Sequence, residues 1–139
     1  MDAHYAFGVR IRLEPEADDV VLESPTVERR CLLEAVRPGT DGWLFFRDTL
    51  WRGEVADQDH ARRLFSEKLG TNVESVDFRG LHTDEAYLEA LKAEIDDSLE
   101  TFKADSVTEA ISKYFGSSLV VDAGEGEGEG EGEGEGGEG

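Results

Sequence analysis

The sequence predicts an α+β fold, a mostly antiparallel four-stranded sheet with helices on one face, five-stranded if a C-terminal apolar run pairs at an edge. Three observations predict it. Alternate residues are apolar from Tyr5 to Leu13, the period of a half-buried strand. Apolar residues recur every three or four positions from Leu88 to Phe102, the period of an amphipathic helix. The strand-like segments crowd the first half and the helix-like segments the second, the pattern of α+β rather than of regularly alternating α/β chains.

In the first strand, Tyr5, Phe7, Val9, Ile11 and Leu13 form an apolar face, and Ala6, Gly8, Arg10, Arg12 and Glu14 form the other. Pro15 and the charged run 16–19 end it. A second strand covers Val27 to Ala35, with Val27, Cys31, Leu33 and Ala35 in phase and Arg30 opposite. Pro38-Gly39-Thr40-Asp41-Gly42 then bends the chain. Trp43 to Arg52 reads as a third strand whose apolar residues fall on both parities, so both of its faces are expected to be covered.

From Asp57 the period lengthens. Ala61, Leu64, Phe65 and Leu69 fit a short helix stopped by Gly70. Val73 to Arg79 is a fourth strand. Thr83 is the expected N-cap of a helix with Asp84 and Glu85 near its positive end and a stripe of Leu88, Leu91, Ile95, Leu99 and Phe102. Ser106 and Glu109 form a capping-box pattern ahead of a last helix that buries Val107, Ala110, Ile111, Tyr114 and Phe115 and ends at Gly116. Ser118 to Asp122 supplies the short edge strand. The order is β-β-β-α-β-α-α, and a right-handed crossover would set the fourth strand parallel to the third.

Residues 1–123 are the length of one domain, and residues 124–139 contain only glycine and glutamate. With no apolar residue, that tail is expected to be disordered. The 139-residue chain has 33 acidic and 14 basic side chains, a net charge of −19. The tail holds seven of the acids, so residues 1–123 still carry −12. Ten of the basic residues are Arg and four are Lys. Carboxylates hold water and hydrated monovalent cations well, and their mutual repulsion is screened within ~3 Å in molar salt. An acidic, lysine-poor surface therefore points to a salt-adapted protein.

A lone Cys31 allows no intrachain disulfide. No apolar run reaches the ~20 residues of a transmembrane helix, and residues 1–7 lack the features of a signal peptide, so a cytoplasmic location is expected.

The segment Asp48-Thr49-Leu50-Trp51-Arg52-Gly53, preceded by Phe45-Phe46-Arg47, together with the acidic composition, resembles the LWR-salt proteins. These are small proteins of salt-loving archaea named for the Leu-Trp-Arg tripeptide. The resemblance covers roughly residues 4 to 121. It implies a salt-adapted protein and brings no activity, cofactor or site residue with it.

Candidate chemistry follows the arginines. Residues 1–52 hold seven Arg against ten acids, residues 53–123 seven bases against sixteen. Arg10, Arg12 and Arg30 lie opposite the apolar stripe, so they are expected on a sheet face away from the helices, joined by an aromatic from Trp43, Phe45 or Trp51. Trp51 and Arg52 are a second candidate pair, since both residue types are enriched at interface hot spots. Three functions are compatible with these residues. The first is a non-catalytic protein-interaction or assembly module, acting on a protein partner or on a second copy. The second is a nucleic-acid or anion binder using the Arg and aromatic sheet face, and the third is a small enzyme. His4, His60 and His82 have no ligand spacing with Cys31, and neither a phosphate loop nor a nucleophile elbow is present. No metal or cofactor is expected. The composition makes one prediction directly: the melting temperature should rise by many degrees between ~0.1 M and ~3 M KCl, and a melting curve indifferent to salt would defeat the adaptation.

Overall fold

The computed structural model describes residues 1–122, so the expectation about residues 124–139 lies outside the described residues. In chain order the elements are β1 (Ala3–Arg12), β2 (Thr26–Glu34), α1 (Phe45–Thr49), β3 (Leu50–Trp51), β4 (Glu54–Val55), α2 (Gln58–Leu69), β5 (Val73–Thr83), α3 (Glu85–Asp97), α4 (Leu99–Phe102), α5 (Val107–Phe115) and β6 (Leu119–Val121).

The alternation in β1 does what its period demands. Tyr5, Phe7 and Val9 are buried, and their core-facing partners follow from their register: Leu33 and Cys31 on β2, Leu81, Phe78 and Val76 on β5, while Arg29 opposite Val9 is exposed. The sheet order is β2-β1-β5-β6. The first two pairings are antiparallel and the last is parallel, so the fold is α+β with a four-stranded mixed sheet. Ser118 to Asp122 does yield an edge strand, β6, but as the fourth member and not a fifth.

The expected third strand is absent from the sheet. Residues 43–49 coil instead, through successive turn bonds from Trp43 N to Thr40 O, Phe45 N to Gly42 O and Arg47 N to Leu44 O. A short apolar run fits a helix as well as a buried strand by periodicity alone. Here the helical solution wins because Phe46 and Leu50, four apart, can enter the core together; each is 1 % exposed. Only Leu50 and Trp51 remain extended, pairing with Glu54 and Val55 in a separate ribbon. The fourth predicted strand is consequently not parallel to a third. It is β5, antiparallel beside β1, and it runs on to Thr83.

Helix ends follow local chemistry. Asp57 accepts from His60 N at 3.1 Å and Gly70 closes α2 in the left-handed region. The N-cap of α3 is Asp84 rather than Thr83: the Asp84 carboxylate accepts from Tyr87 N at 2.7 Å and Asp2 N at 2.8 Å, while Thr83 is buried at the end of β5. These amide bonds, the Tyr87 one foremost, hold the Asp84 carboxyl below the usual carboxylate range. Ser106 caps α5 by accepting from Glu109 N at 3.1 Å. The long stripe predicted from Leu88 to Phe102 breaks at Ser98 into α3 and α4, and Tyr87 joins Leu91 and Ile95 in the buried row.

Two aromatic groups fill the space between sheet and helices. Phe7 lies 5.0 Å from Phe65, 5.5 Å from Phe78 and 6.3 Å from Phe45 by ring centroids. Phe46 lies 4.8 Å from Phe115, 5.7 Å from Phe102 and Tyr114, and 6.1 Å from Trp43. Phe46 joins α1 to α4 and α5, so Phe46→Ala should destabilise the protein by about 3–5 kcal/mol, read from denaturant unfolding in molar KCl; a loss below about 1 kcal/mol would show that α1 is not part of the core.

Candidate functional site

Strand register decides which side chains share the face turned away from the helices. On β1 these are His4, Ala6, Gly8, Arg10 and Arg12, opposite Glu34, Leu32, Arg30, Glu28 and Thr26 of β2. On β5 they are Ser75, Asp77, Gly80 and His82. The β1–β5 register slips between Ala6 and Phe7, so Arg79 is an extra residue and falls next to Gly80 on this outer face. A bulge of this kind re-aims side chains: Arg79 keeps the parity of Ser75 and Asp77, and it is Gly80 and His82 that the slip turns to the outer face.

The outer face holds a shallow cavity of about 290 Å³ lined by Gly8, Arg10, Glu28, Arg30, Ser75, Asp77 and Arg79 among others. Gly8 is its floor. A Cβ at that position would stand 2.7 Å from both Arg79 Nη2 and Asp77 Oδ1, so the Arg79–Asp77 pair lies flat across β1 only because residue 8 lacks a side chain. Arg10 Nη2 donates to Glu28 Oε2 at 2.7 Å. That bond, with the charge behind it, holds the Glu28 carboxyl below and the Arg10 guanidinium above their ordinary values. Arg12 pairs with Glu74 at 3.3 Å farther along. All these pairs are exposed and contribute little to stability. They remain open to exchange for an external partner.

Arg30 is different. Its Nη2 lies 3.3 Å from His82 Nε2, and a guanidinium only donates, so His82 must accept at Nε2 and carry any single proton on Nδ1. The His82 ring stacks on His4 with centroids 5.1 Å apart and planes 9° from parallel. Burial chiefly, and then His4 and Arg30, push the His82 pKa below 6.5, with Asp122 opposing.

The seven candidate residues divide three ways. Arg10, Arg12 and Arg30 share the outer face. Trp43 and Phe45 do not reach it: Phe45 packs 4.9 Å from Tyr5 on the helix side, and Trp43 lies 5.9 Å from Phe102. Trp51 and Arg52 form a separate corner against α5. There Leu50 is buried, and half-exposed Trp51 meets Tyr114 edge-on at 6.0 Å. Arg52 N and Gly53 N donate to Lys113 O at 2.8 Å and Tyr114 O at 2.9 Å, satisfying carbonyls that the end of α5 leaves free. Arg79 and Lys113 were not singled out from the sequence, and Gly8 and His82 were given no role at a site. For His82 a signal existed: a glycine inside a strand, Gly80, commonly marks a bulge.

A protein-family model described as LWR-salt protein matches residues 1–125. The chain belongs to the LWR-salt protein family. No curated protein and no solved structure matches it. In this LWR-salt protein the three residues of the tripeptide do three separate jobs: Leu50 fills the core, Trp51 covers α5, and the Arg52 backbone caps it. Among the described residues, no three His, Cys, Asp or Glu are grouped to hold a metal ion, and no helix is long and apolar enough to cross a membrane.

The Arg30–His82 contact is testable by titration. His82 should titrate below 6.5 by NMR, and Arg30→Gln should move its midpoint upward. Because the folded pKa is the lower one, the unfolded chain binds the extra proton, so this contribution to stability is present above the ordinary histidine range and is lost as pH falls through it. An unmoved midpoint in Arg30→Gln would show that the two groups do not interact.

Proposed function

We propose that this LWR-salt protein is a salt-adapted, cytoplasmic binding module without catalytic activity, and that it engages a protein partner through the outer face of its sheet. One observation carries the reading. The helices pack on the Tyr5–Phe7–Val9 side, while the opposite side exposes Leu32 at 59 % and Val120 at 40 % on the two edge strands, with Ala6, Gly8 and Gly80 flattening the ground between them. Exposed apolar residues at the two edges of a charged centre, where Arg79 and Asp77 lie over Gly8, suit a protein surface.

Arg10, Arg30 and Arg79 give that surface its selectivity, favouring an acidic partner. Single-stranded nucleic acid draws little support on this face, because Trp43 and Phe45 lie on the other side and, among the described residues, His4 and His82 are the rings stacked there. An enzyme draws little from the groove either. Its carboxylates, Glu28 and Asp77, are exposed and already paired with arginines, unlike the desolvated groups of a catalytic pocket. The remaining acidic surface holds hydrated monovalent cations.

Leu32→Asp combined with Val120→Asp should leave the melting temperature within a few degrees of wild type, since both side chains are exposed. Captures from the source cells at roughly 3 M KCl should then retain a protein with wild type that the double variant loses. If the partner is a second copy, light scattering should show a wild-type dimer and a variant monomer. A partner retained equally by both forms would move the interface off the sheet.

A further inference from the structure

The corner between the β3–β4 turn and the end of α5 carries a second charge anomaly. Among the described residues, Arg52 (φ 53°) and Lys103 (φ 51°) are the non-glycine residues with a left-handed backbone. Both are basic in a chain with 33 acids and 14 bases. Both also meet Lys113: Arg52 N donates to its carbonyl at 2.8 Å, and Lys113 Nζ donates to Lys103 O at 3.2 Å and to Phe102 O at 2.9 Å.

A side chain on a left-handed residue is strained, and glycine or asparagine fills such a position more easily. Gly53 does so next door at φ 85°, completing a hairpin turn with two successive positive φ values. The turn therefore gives no reason for arginine at 52. Nor does internal charge pairing, because no carboxylate among the described residues pairs with Arg52, Lys103 or Lys113. What the cations do approach is the exposed Trp51 ring, with the Arg52 guanidinium 5.5 Å and the Lys113 ammonium 6.0 Å from its centroid.

We propose that Trp51, Arg52 and Lys113 form a binding site for single-stranded nucleic acid, with a base stacked on Trp51 and a neighbouring phosphate held by Arg52 and Lys113. A tryptophan ring that is 44 % exposed, with two cations held over it, matches a ligand that offers a flat π-surface and negative charge side by side, the base taking the place of a cation on the ring. An acidic peptide offers only the charge and would leave Trp51 unused. The molecule's net −19 repels a polyanion in dilute buffer, but molar salt screens that repulsion beyond ~3 Å and leaves stacking in place. With so few phosphate contacts, affinity should fall only gently with salt, unlike that of a basic nucleic-acid binder. The site uses none of the sheet-face residues, so it stands or falls apart from the reading above.

The test is fluorescence anisotropy of a dye-labelled single-stranded oligoadenylate with the full chain, at roughly 0.2 M and 3 M KCl. Wild type should bind at both salts. Trp51→Ala should bind roughly tenfold or more weakly, and Trp51→Phe, which keeps a stacking ring, should bind close to wild type. Arg52→Gly should bind several-fold more weakly with an equal or higher melting temperature, because glycine relieves the strained backbone; this variant separates recognition from folding. Absence of wild-type binding would overturn the site. So would equal binding by Arg52→Gly, or equal competition from polyglutamate or from an oligoadenylate hidden in a duplex.

Discussion

The placement of Phe7 at the centre of β1 governs the molecule. Its ring is fully buried against Phe45, Phe65 and Phe78, so it pins α1, α2 and β5 to one side of one strand. Burying a side chain of this size supplies roughly 1.5–3 kcal/mol, more than an exposed ion pair offers. Once Phe7 faces the helices, pleating alone turns Ala6 and Gly8 the other way. The smallness of those two residues keeps the second face flat. The outer face is thus a geometric by-product of the core.

That dependence explains what could be read from the sequence. β1, β2, α2, α5 and the capping residue Ser106 were legible because each rests on short-range chemistry: a period, a cap, a terminating glycine. The segment from Trp43 to Thr49 was not. Its run of apolar residues satisfies either period, and the choice is made by Phe102, Tyr114 and Phe115, which lie more than fifty positions away in the chain. Strand order failed for the same reason. Whether β5 pairs with a preceding neighbour or with β1 is settled by which strand carries the aromatic face.

The candidate residues show the same division. Arg10, Arg12 and Arg30 were placed on the outer face from alternation alone, and the register puts them there. Arg79 was legible by the same alternation, since it shares the parity of Asp77, but the His4–His82 stack escaped because a bulge turns His82 to that face and only the β1–β5 register brings it beside His4. Trp51 and Arg52 were visible as residue types, but the left-handed backbone that makes arginine a costly choice at position 52 is a property of the turn. The membership in the LWR-salt family fits this picture, since its tripeptide spans core, cover and cap.

The edge strand β2 has a consequence that depends on salt. An open edge invites a foreign strand, and proteins commonly guard such edges with charge; here Glu28, Arg29, Arg30 and Glu34 stand along nine residues of edge. In dilute buffer the net charge of −19 adds repulsion that acts at a distance. Where ions are crowded, its reach shrinks to about the width of a water molecule, and an approaching strand is stopped only by the work of stripping water from those side chains. Protection against aggregation thus passes, as salt rises, from long-range repulsion to the grip of the hydration shell.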